Sequence, residues 1–372
     1  MIDLSLWNKE YLYNDSKKYF ENIVKNKKVI VYGAGAVGLN LINSGLEIAA
    51  ILDKKFKTGE YHHNIPVFFP SDFKLENLSD NYIAIITLRN QVYINEAISC
   101  LKKIGFKNII IGINFYEAQV VTIPEELKKL EFFYYVKNKN NIVEASKLFF
   151  DRLSVDVYSL YIQTHMQRKY IEIPNYPIIE QYFPTDFKLN KGYSRVINCG
   201  SFDGDTVKQI HSLFGKIDAI ACFEPDLKNY NLLTKYLKDN QKNIANEIYS
   251  FPCGVYDKDI VLNFMSGETT SSTISDKGEV HIQCVSLDNT LLGFRPTFIN
   301  MDVEGVELEA LKGAEEIIKE YKPDLAICVY HSPNHIWDIP LYLNSLNLGY
   351  KFYLRNYTGF IFETVLYATV NL

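Results

Sequence analysis

The feature that most constrains the fold of this chain is a sequence pattern that occurs twice. In each copy an apolar run leads into a glycine-containing turn and a helical segment, and a second apolar run then ends in an acidic residue. The first copy comprises the apolar residues 28–32, the GxGxxG turn from Gly33 to Gly38, and a run at 48–52 that is followed by Asp53. A glycine turn between a strand and a helix is typical of nucleotide-binding α/β folds with parallel strands.

The second copy lies in the C-terminal half of the chain. The strand predicted at 195–198 leads into a turn that contains Gly200 and Gly204, and the next predicted strand, 217–223, is followed by Glu224. Glycines allow a backbone to turn sharply against a ligand. Glu224 follows Gly204 by 20 residues, so we expect its carboxylate at the tip of the neighbouring strand, where it can accept hydrogen bonds from both hydroxyls of a ribose.

A third segment carries acidic and imidazole side chains at two further strand ends. The strand predicted at 297–301 ends in Asp302 and leads into an amphipathic helix predicted at 308–321. The next predicted strand, 323–330, ends in His331. Because ligands of open α/β sheets bind beyond the carboxyl ends of the strands, we expect Asp302 and His331 to face one cleft.

The length of 372 residues exceeds what one hydrophobic core usually covers, and the pattern predicts two α/β domains. We predict a helical lead-in at 1–26, a Rossmann-like α/β domain at 27–118, a helical connector at 119–190 and the second, larger domain at 191–372. Two roles stay open for the first domain. Either its glycine turn and Asp53 hold a nucleotide, or the domain is structural and joins copies of the chain into a homo-oligomer.

Charge and hydropathy exclude several classes of function. A net charge of -5, from 39 basic and 44 acidic residues, offers no general attraction to a nucleic-acid backbone. No apolar stretch approaches the roughly 18 residues that a membrane span needs. Residues 1–15 lack the apolar core of a signal peptide. We therefore expect a cytoplasmic protein with a small-molecule substrate.

Eight separated motifs, in order, resemble the FkbM-type family of S-adenosylmethionine-dependent methyltransferases. They lie at 180–184, 198–206, 223–226, 286–288, 301–305, 311–314, 330–333 and 363–367, and the resemblance covers roughly residues 143–372. It implies a class I, Rossmann-like methyltransferase domain with a seven-stranded sheet and S-adenosylmethionine as cofactor. The residues it implies for cofactor binding are Asn198, Gly200, Ser201, Phe202, Asp203, Gly204, Asp205, Thr206, Glu224 and Pro225.

The resemblance also implies a substrate class. The acceptor would be the hydroxyl of a sugar, either nucleotide-linked or a precursor of a surface polysaccharide such as a capsule. At two positions the chain departs from the family pattern. Asn198 stands where the family usually has an acidic residue, and Asn300 stands where a lysine is common. Both amides retain hydrogen-bonding atoms, so cofactor binding stays plausible.

Methyl transfer to a sugar hydroxyl requires that the acceptor be aligned and deprotonated, because a neutral hydroxyl is a poor nucleophile. Asp302, Glu304 and His331 are the side chains available for this at the predicted cleft. In one hypothesis all three hold a divalent metal ion (Mg, Mn or Fe) that stabilises the alkoxide. In the other, His331 is a general base that Asp302 orients. Both hypotheses stay open.

We expect simpler roles for several neighbouring residues. Glu304 and Glu307 open the predicted helix, where an acidic side chain interacts favourably with the helix dipole without any catalytic role. Asp288 is expected to cap the helix that follows it, and His335 to be a surface or lid residue rather than a ligand. The polar stretch 267–275 is either a lid over the substrate or a solvated hairpin tip.

Two other functions are compatible with parts of the sequence. One is an NAD-dependent oxidoreductase that uses the turn from Gly33 and Asp53, which would leave Glu224 and Asp302 without a role. The other is a non-catalytic nucleotide-binding scaffold, which only Asn198 favours.

Overall fold

The computed structural model describes residues 24–42, 46–74, 82–88, 91–111, 132–167, 171–265, 273–274 and 280–371. The chain divides into two compact units. The first takes in the described part of residues 1–140 together with 159–175 and 358–362, and the second contains 141–158, 176–357 and 363–372. Residues of the predicted connector at 119–190 are therefore shared between both units.

The first unit is built on a six-stranded sheet in the order β3-β4-β2-β1-β5-β6. Its strands are β1 (Lys28–Tyr32), β2 (Ile48–Leu52), β3 (Tyr61–His62), β4 (Ile65–Phe68), β5 (Tyr82–Ile86) and β6 (Ile109–Ile111). Its helices are α1 (Ala36–Ile42), α2 (Gln91–Ile104) and α3 (Phe132–Lys137), with a 3-10 turn at Pro70–Asp72. All strand pairs are parallel except β3 with β4. Apart from the exposed Lys28 at the start of β1, the side chains of β1 are buried because both faces of the sheet are covered.

The predicted glycine turn of this unit lies between β1 and α1, and Asp53 follows β2 directly. Asp53 accepts a hydrogen bond of 2.7 Å from the backbone N of Ala34 in the turn. A Cβ on Gly38 would lie 2.1 Å from the carbonyl O of Gly33, so packing accounts for this glycine. Beyond its chain neighbours, no atom of the described residues lies within 4 Å of the Cβ position of Gly35. Nucleotide binding by the turn stays a prediction.

The second unit contains the predicted seven-stranded sheet, in the order β16-β17-β15-β14-β7-β8-β9. These strands are β7 (Arg195–Cys199), β8 (Ile217–Phe223), β9 (Ala245–Phe251), β14 (Phe298–Met301), β15 (Asp324–Cys328), β16 (Tyr350–Asn356) and β17 (Thr364–Val370). A four-stranded sheet is formed by β10 (Gly254–Val255), β11 (Ile260–Met265), β12 (Thr273–Ile274) and β13 (Val280–Val285). The helices are α6 (Asp205–Phe214), α7 (Leu227–Ile244), α8 (Leu287–Thr290), α9 (Glu307–Lys312), α10 (Glu315–Tyr321) and α11 (His335–Ser345), with a 3-10 turn at Ile178–Glu180.

Two further helices, α4 (Lys139–Ser146) and α5 (Arg152–Gln167), contain residues of both units. In the seven-stranded sheet, the five strands from β15 to β9 are mutually parallel, whereas β17 runs antiparallel to its two neighbours. Because β14, β15 and β17 are buried along their whole length, these strands lack alternation between polar and apolar residues.

The single helix predicted at 308–321 is wrong, because the segment forms α9 and α10 with a break at Gly313. A Cβ on Gly313 would lie 1.9 Å from the carbonyl O of Tyr256. The carboxylate of Asp288 accepts hydrogen bonds from the backbone N of Glu316 (3.0 Å) and of Ile317 (2.9 Å). Asp288 therefore caps α10 and not the helix that follows it in sequence, so that expectation is also wrong.

Several expectations fall largely outside the described residues. These are the helical lead-in at 1–26, of which only 24–26 are described, and the polar stretch 267–275, of which only Thr273 and Ile274 are described, in β12. Among the helices that the structure describes, none is long and apolar enough to cross a membrane.

Candidate active site

The site predicted from the sequence lies at the carboxyl edge of the seven-stranded sheet. β7 pairs with β8 on one side and with β14 on the other, so the strand order reverses at β7. This is the switch point at which open α/β sheets bind ligands. Gly200 and Gly204 lie in the turn after β7, Asp302 follows β14, and His331 comes three residues after the end of β15.

The turns after β7 and β14 contact each other backbone to backbone at Gly200. This residue has a φ of +79°, and a Cβ on it would lie 1.9 Å from the carbonyl O of Asp302. The backbone N of Asp302 also donates a hydrogen bond of 3.0 Å to the carbonyl O of Cys199. Because the left-handed conformation and the close approach both exclude a side chain, only glycine fits here. The contact holds the glycine turn directly beside Asp302.

The carboxylate of Glu224 ties the end of β8 to the glycine turn. Its Oε2 accepts a hydrogen bond of 2.8 Å from the backbone N of Phe202, and its Oε1 accepts one of 2.9 Å from the backbone N of Asp226. Burial raises the pKa of Glu224 to about 7, although both backbone donors oppose this shift. A carboxylate oxygen has a second lone pair, so Glu224 retains acceptor capacity for a ligand.

The side chain of Asn198 lies inside the sheet. Asn198 and Asn300 are partners in the register of β7 and β14, and the Nδ2 of Asn300 donates a hydrogen bond of 2.9 Å to the Oδ1 of Asn198. The two departures from the family pattern are thus the two halves of one buried contact. The Nδ2 of Asn198 and the Oδ1 of Asn300 are buried and have no partner among the described residues.

The other residues predicted for the cofactor all lie in the turn after β7, at the start of α6 or just after β8; they are Ser201, Phe202, Asp203, Gly204, Asp205, Thr206 and Pro225. The ring of Phe202 is 42% exposed, although its backbone has a φ of +45°. Asp203 pairs with Lys208 at 2.9 Å. The turn therefore offers an exposed aromatic residue at the edge of the sheet, while the backbone N of Gly200, Ser201 and Gly204 already donate to backbone carbonyls.

Asp302, Glu304 and His331 come together as the sequence predicts. The Nε2 of His331 lies 3.3 Å from the Oδ1 of Asp302 and 3.5 Å from the Oε2 of Glu304. The His331 side chain is only 9% exposed, whereas the two carboxylates are 28% and 30% exposed. Glu304 has a φ of +57°, a conformation that is strained for a residue other than glycine.

Glu307 and His335 complete the cluster, and the sequence indicated neither as part of the site. Glu307 is fully buried, and its Oε1 lies 2.7 Å from the Nδ1 of His331. Its Oε2 lies 2.9 Å from the Nδ1 of His335. His335 is buried, so its expected place on the surface or in a lid is wrong. The general-base hypothesis assigns the orientation of His331 to Asp302, whereas in the structure Glu307 occupies that position.

The charges of this cluster determine its protonation. Burial would lower the pKa of His331, but the facing carboxylates, Glu307 first, raise it to about 10. Burial would raise the pKa of Glu307, but the two imidazoles hold it well below its usual range. Burial raises the pKa of Glu304 to about 7, against the opposing charge of His331. The facing carboxylates therefore favour the protonated form of His331.

A second polar layer lies against Asp302. The hydroxyl of Tyr182 donates a hydrogen bond of 2.9 Å to the Oδ2 of Asp302. Glu363 accepts hydrogen bonds from Gln181 (2.9 Å) and Tyr330 (3.3 Å), and burial, followed by the charge of Asp302, raises its pKa. The sequence marked 180–184 and 363–367 only as family motifs without a role. Their contribution depends on contacts between residues more than 100 positions apart.

Comparisons with known proteins agree with this architecture. Residues 198–352 match the family model described as the Methyltransferase FkbM domain. The structure resembles that of a methyltransferase FkbM from Methylobacillus flagellatus KT, with a TM-score of 0.72 and 21% identity over 95% of this chain and 93% of that chain.

An rRNA methylase from Streptococcus thermophilus (15% identity, 49% of this chain and 90% of that chain) is a more distant likeness, with a TM-score of 0.32. Fibrillarin from Aeropyrum pernix, in complex with S-adenosyl-L-methionine, is equally distant at 0.32 (10% identity, 49% of this chain and 70% of that chain). No curated protein matches the chain.

Proposed function

We propose that this chain, whose residues 198–352 form a methyltransferase domain of the FkbM family, is an S-adenosylmethionine-dependent O-methyltransferase that acts on a sugar hydroxyl. The sugar is nucleotide-linked or a precursor of a surface polysaccharide such as a capsule. The observation that supports this proposal best is the backbone contact between Gly200 and Asp302. It places a glycine turn suited to a nucleoside directly beside a cluster of carboxylates and imidazole.

The residues at the switch point fit the proposed cofactor. Glu224 has acceptor capacity for ribose hydroxyls, and the buried Nδ2 of Asn198 lacks a partner among the described residues. The turn of Gly200, Ser201, Phe202, Asp203, Gly204, Asp205 and Thr206, with Pro225 after β8, would enclose the rest of the molecule. What S-adenosylmethionine supplies when bound is a methyl group on a sulfonium, together with a good leaving group.

The donor set at Asp302, Glu304 and His331 fits a divalent cation such as Mg, Mn or Fe. Donor atoms of Asp302, Glu307 and His331 lie within 4.8 Å of one another, but Glu307 already accepts from the backbone N of Val303 (3.1 Å) and of Gly305 (3.3 Å). Glu304 is therefore the better third ligand. Lewis acidity at the acceptor oxygen is what such an ion supplies when bound.

The side chains themselves bind and orient the acceptor. Tyr182 holds the Oδ2 of Asp302, so the Oδ1 is left to face the Nε2 of His331 and an incoming hydroxyl. Asp302 and Glu304 can each accept a hydrogen bond from that hydroxyl, and because both side chains are only partly exposed, fewer water molecules compete for them. Whether the proton leaves with the help of a cation or of a base, Asp302 and His331 are required.

Transfer of a labelled methyl group from S-adenosylmethionine to a panel of nucleotide-sugars and free oligosaccharides tests the function. A thermal-shift series with S-adenosylhomocysteine, NAD and nucleotide-sugars accompanies it. A ligand at 100 times its dissociation constant should stabilise the fold by about 2.7 kcal/mol. Stabilisation by NAD alone, or label on protein and nucleic acid but on no sugar, would contradict the proposal.

A further inference from the structure

Glu307 connects three segments that are distant in the sequence. It is the first residue of α9, and its Oε1 accepts from the backbone N of Val303 and of Gly305. The same oxygen lies 2.7 Å from the Nδ1 of His331, and the other oxygen faces His335 at the start of α11. A side chain that only favoured the helix dipole would point to solvent, yet Glu307 is 0% exposed.

These contacts restrict the ring of His331. A carboxylate has no hydrogen to donate, so the Nδ1 of His331 must carry the hydrogen of this contact. The other nitrogen, Nε2, then points at Asp302 and Glu304, where it makes no hydrogen bond of normal length and lies 3.3 and 3.5 Å from the two carboxylates. Nε2 is therefore the only ring atom that can exchange its hydrogen for a cation or with a substrate.

His335 acts on the far side of the same carboxylate. Its Nδ1 is 2.9 Å from the Oε2 of Glu307, and its side chain is 4% exposed. Neither atom has a hydrogen-bond partner among the described residues, so the contact is an electrostatic one between two buried groups. With one imidazole on each oxygen and two backbone amides on Oε1, the Glu307 side chain cannot rotate without leaving a buried charge without a partner, which is costly.

We propose that Glu307 is a positioning residue of the active site, which keeps the hydrogen of His331 on Nδ1 and directs Nε2 at Asp302 and Glu304, and that His335 holds Glu307 in place. This inference rests on the proposed function, because it assigns the cluster to methyl transfer. It is independent of whether the reaction uses a cation or a base, since either requires a fixed Nε2.

The first test is proton NMR of the full chain. A histidine N–H that donates to a buried carboxylate should give a downfield resonance that exchanges slowly with solvent. If this resonance is lost in H331A, it belongs to His331. We expect this resonance to shift or disappear in E307Q and to persist in E309Q, a matched change on the same helix. Its absence from wild type, or its persistence unchanged in E307Q, would overturn the inference.

The second test is kinetic and uses the acceptor identified by the labelling screen. The loss of a partner that orients a functional histidine typically costs 10–100-fold, so we expect kcat of E307Q to fall by about this factor while affinity for S-adenosylhomocysteine stays within twofold. H335Q should give a smaller loss in the same direction. If E307Q does not fold, E307D is the variant to measure. It keeps the negative charge, but its shorter side chain cannot reach both imidazoles. Wild-type kcat in the folded variant contradicts the inference.

The two proposals can fail separately. If no sugar is methylated but the His331 resonance depends on Glu307, the proposed function falls, and Glu307 remains the residue that fixes His331 without a role in methyl transfer. If a sugar is methylated and E307Q retains wild-type kcat, only the positioning role falls.

Discussion

Asn300 donates a hydrogen bond of 2.9 Å to Asn198 across the two central parallel strands of the second unit. Both side chains are buried, at 1% and 0% exposure. The resemblance to the FkbM family implies an acidic residue at position 198 and a lysine at position 300, whereas this chain has a neutral amide at both. Because the two residues are in contact, their replacements should be strongly coupled.

We therefore expect N198D and N300K each to lower the free energy of unfolding by about 3–5 kcal/mol, since each leaves a buried charge unpaired. The double variant N198D/N300K should recover most of this loss. Urea unfolding of the four proteins measures the coupling. Losses that simply add in the double variant would show that the two side chains do not interact as described.

Gly200 and Gly215 provide a matched pair for the backbone contact at the site. Both have positive φ, but a Cβ on Gly215 would meet nothing within 4 Å in the described part of the chain, whereas one on Gly200 would lie 1.9 Å from the carbonyl O of Asp302. G215A should cost on the order of 1–3 kcal/mol from backbone strain alone. G200A should cost more and also weaken binding of S-adenosylhomocysteine. Equal stability and full ligand affinity in both variants would contradict the close contact.

The raised pKa of Glu224 predicts a pH dependence of cofactor binding. Burial raises this pKa to about 7, so the carboxyl of the free protein is largely protonated at pH 6 and ionised at pH 8. A ribose hydroxyl donates best to the ionised form. Affinity for S-adenosylhomocysteine, measured by calorimetry, should therefore increase from pH 6 to pH 8. In E224Q it should be at least tenfold weaker and independent of pH in this range, and a parallel pH profile in E224Q would disprove the role.

The raised pKa of Glu224 also predicts how the stability of the protein changes with pH. The folded state binds the Glu224 proton more tightly than the unfolded chain, whose carboxyl has its ordinary pKa near 4.5. The contribution of Glu224 to the free energy of unfolding should then decrease as the pH increases from about 4.5 to 7. Comparison of the free energy of unfolding of wild type and E224Q across this pH range isolates the contribution of Glu224. If the two proteins show the same dependence on pH, the pKa of Glu224 is not raised.

Replacement of Asp302 or His331 should affect the rate of methyl transfer and leave cofactor binding largely unchanged. We expect D302N and H331A to lower the rate of methyl transfer by about 10²–10⁴-fold, whereas binding of S-adenosylhomocysteine changes little because its proposed contacts lie elsewhere. D239N, at an exposed position on α7, is the control. Full activity in either cluster variant would refute the site.

A chelator distinguishes the two mechanisms in the wild-type protein. If a cation is required, EDTA should abolish transfer and added Mg²⁺ or Mn²⁺ should restore it. If transfer is unaffected by EDTA, the cation hypothesis is wrong and a side chain must accept the proton.

The helix boundaries in this chain show why local sequence patterns do not suffice to predict where a helix begins and ends. The segment 308–321 has helical periodicity throughout, yet Gly313 lies against the backbone of Tyr256 and Asp288 caps a new helix at Glu315–Tyr321. Neither contact can be inferred from spacing, because the partners are 28 or more residues away.

The sequence by itself determined the α/β class, the positions of β7, β8 and β14 to within one residue, and the place of Asp302 directly after β14. It placed His331 directly after a strand, whereas β15 ends three residues earlier. These predictions depend on local signals, namely apolar runs that must be buried and glycines that permit a turn. Only the tertiary structure decided that Glu307 faces inward between two imidazoles and that Tyr182 holds Asp302. The physical reason is that a buried charge is stable only with partners, and distant segments supply those partners once the sheet has brought its strand ends together.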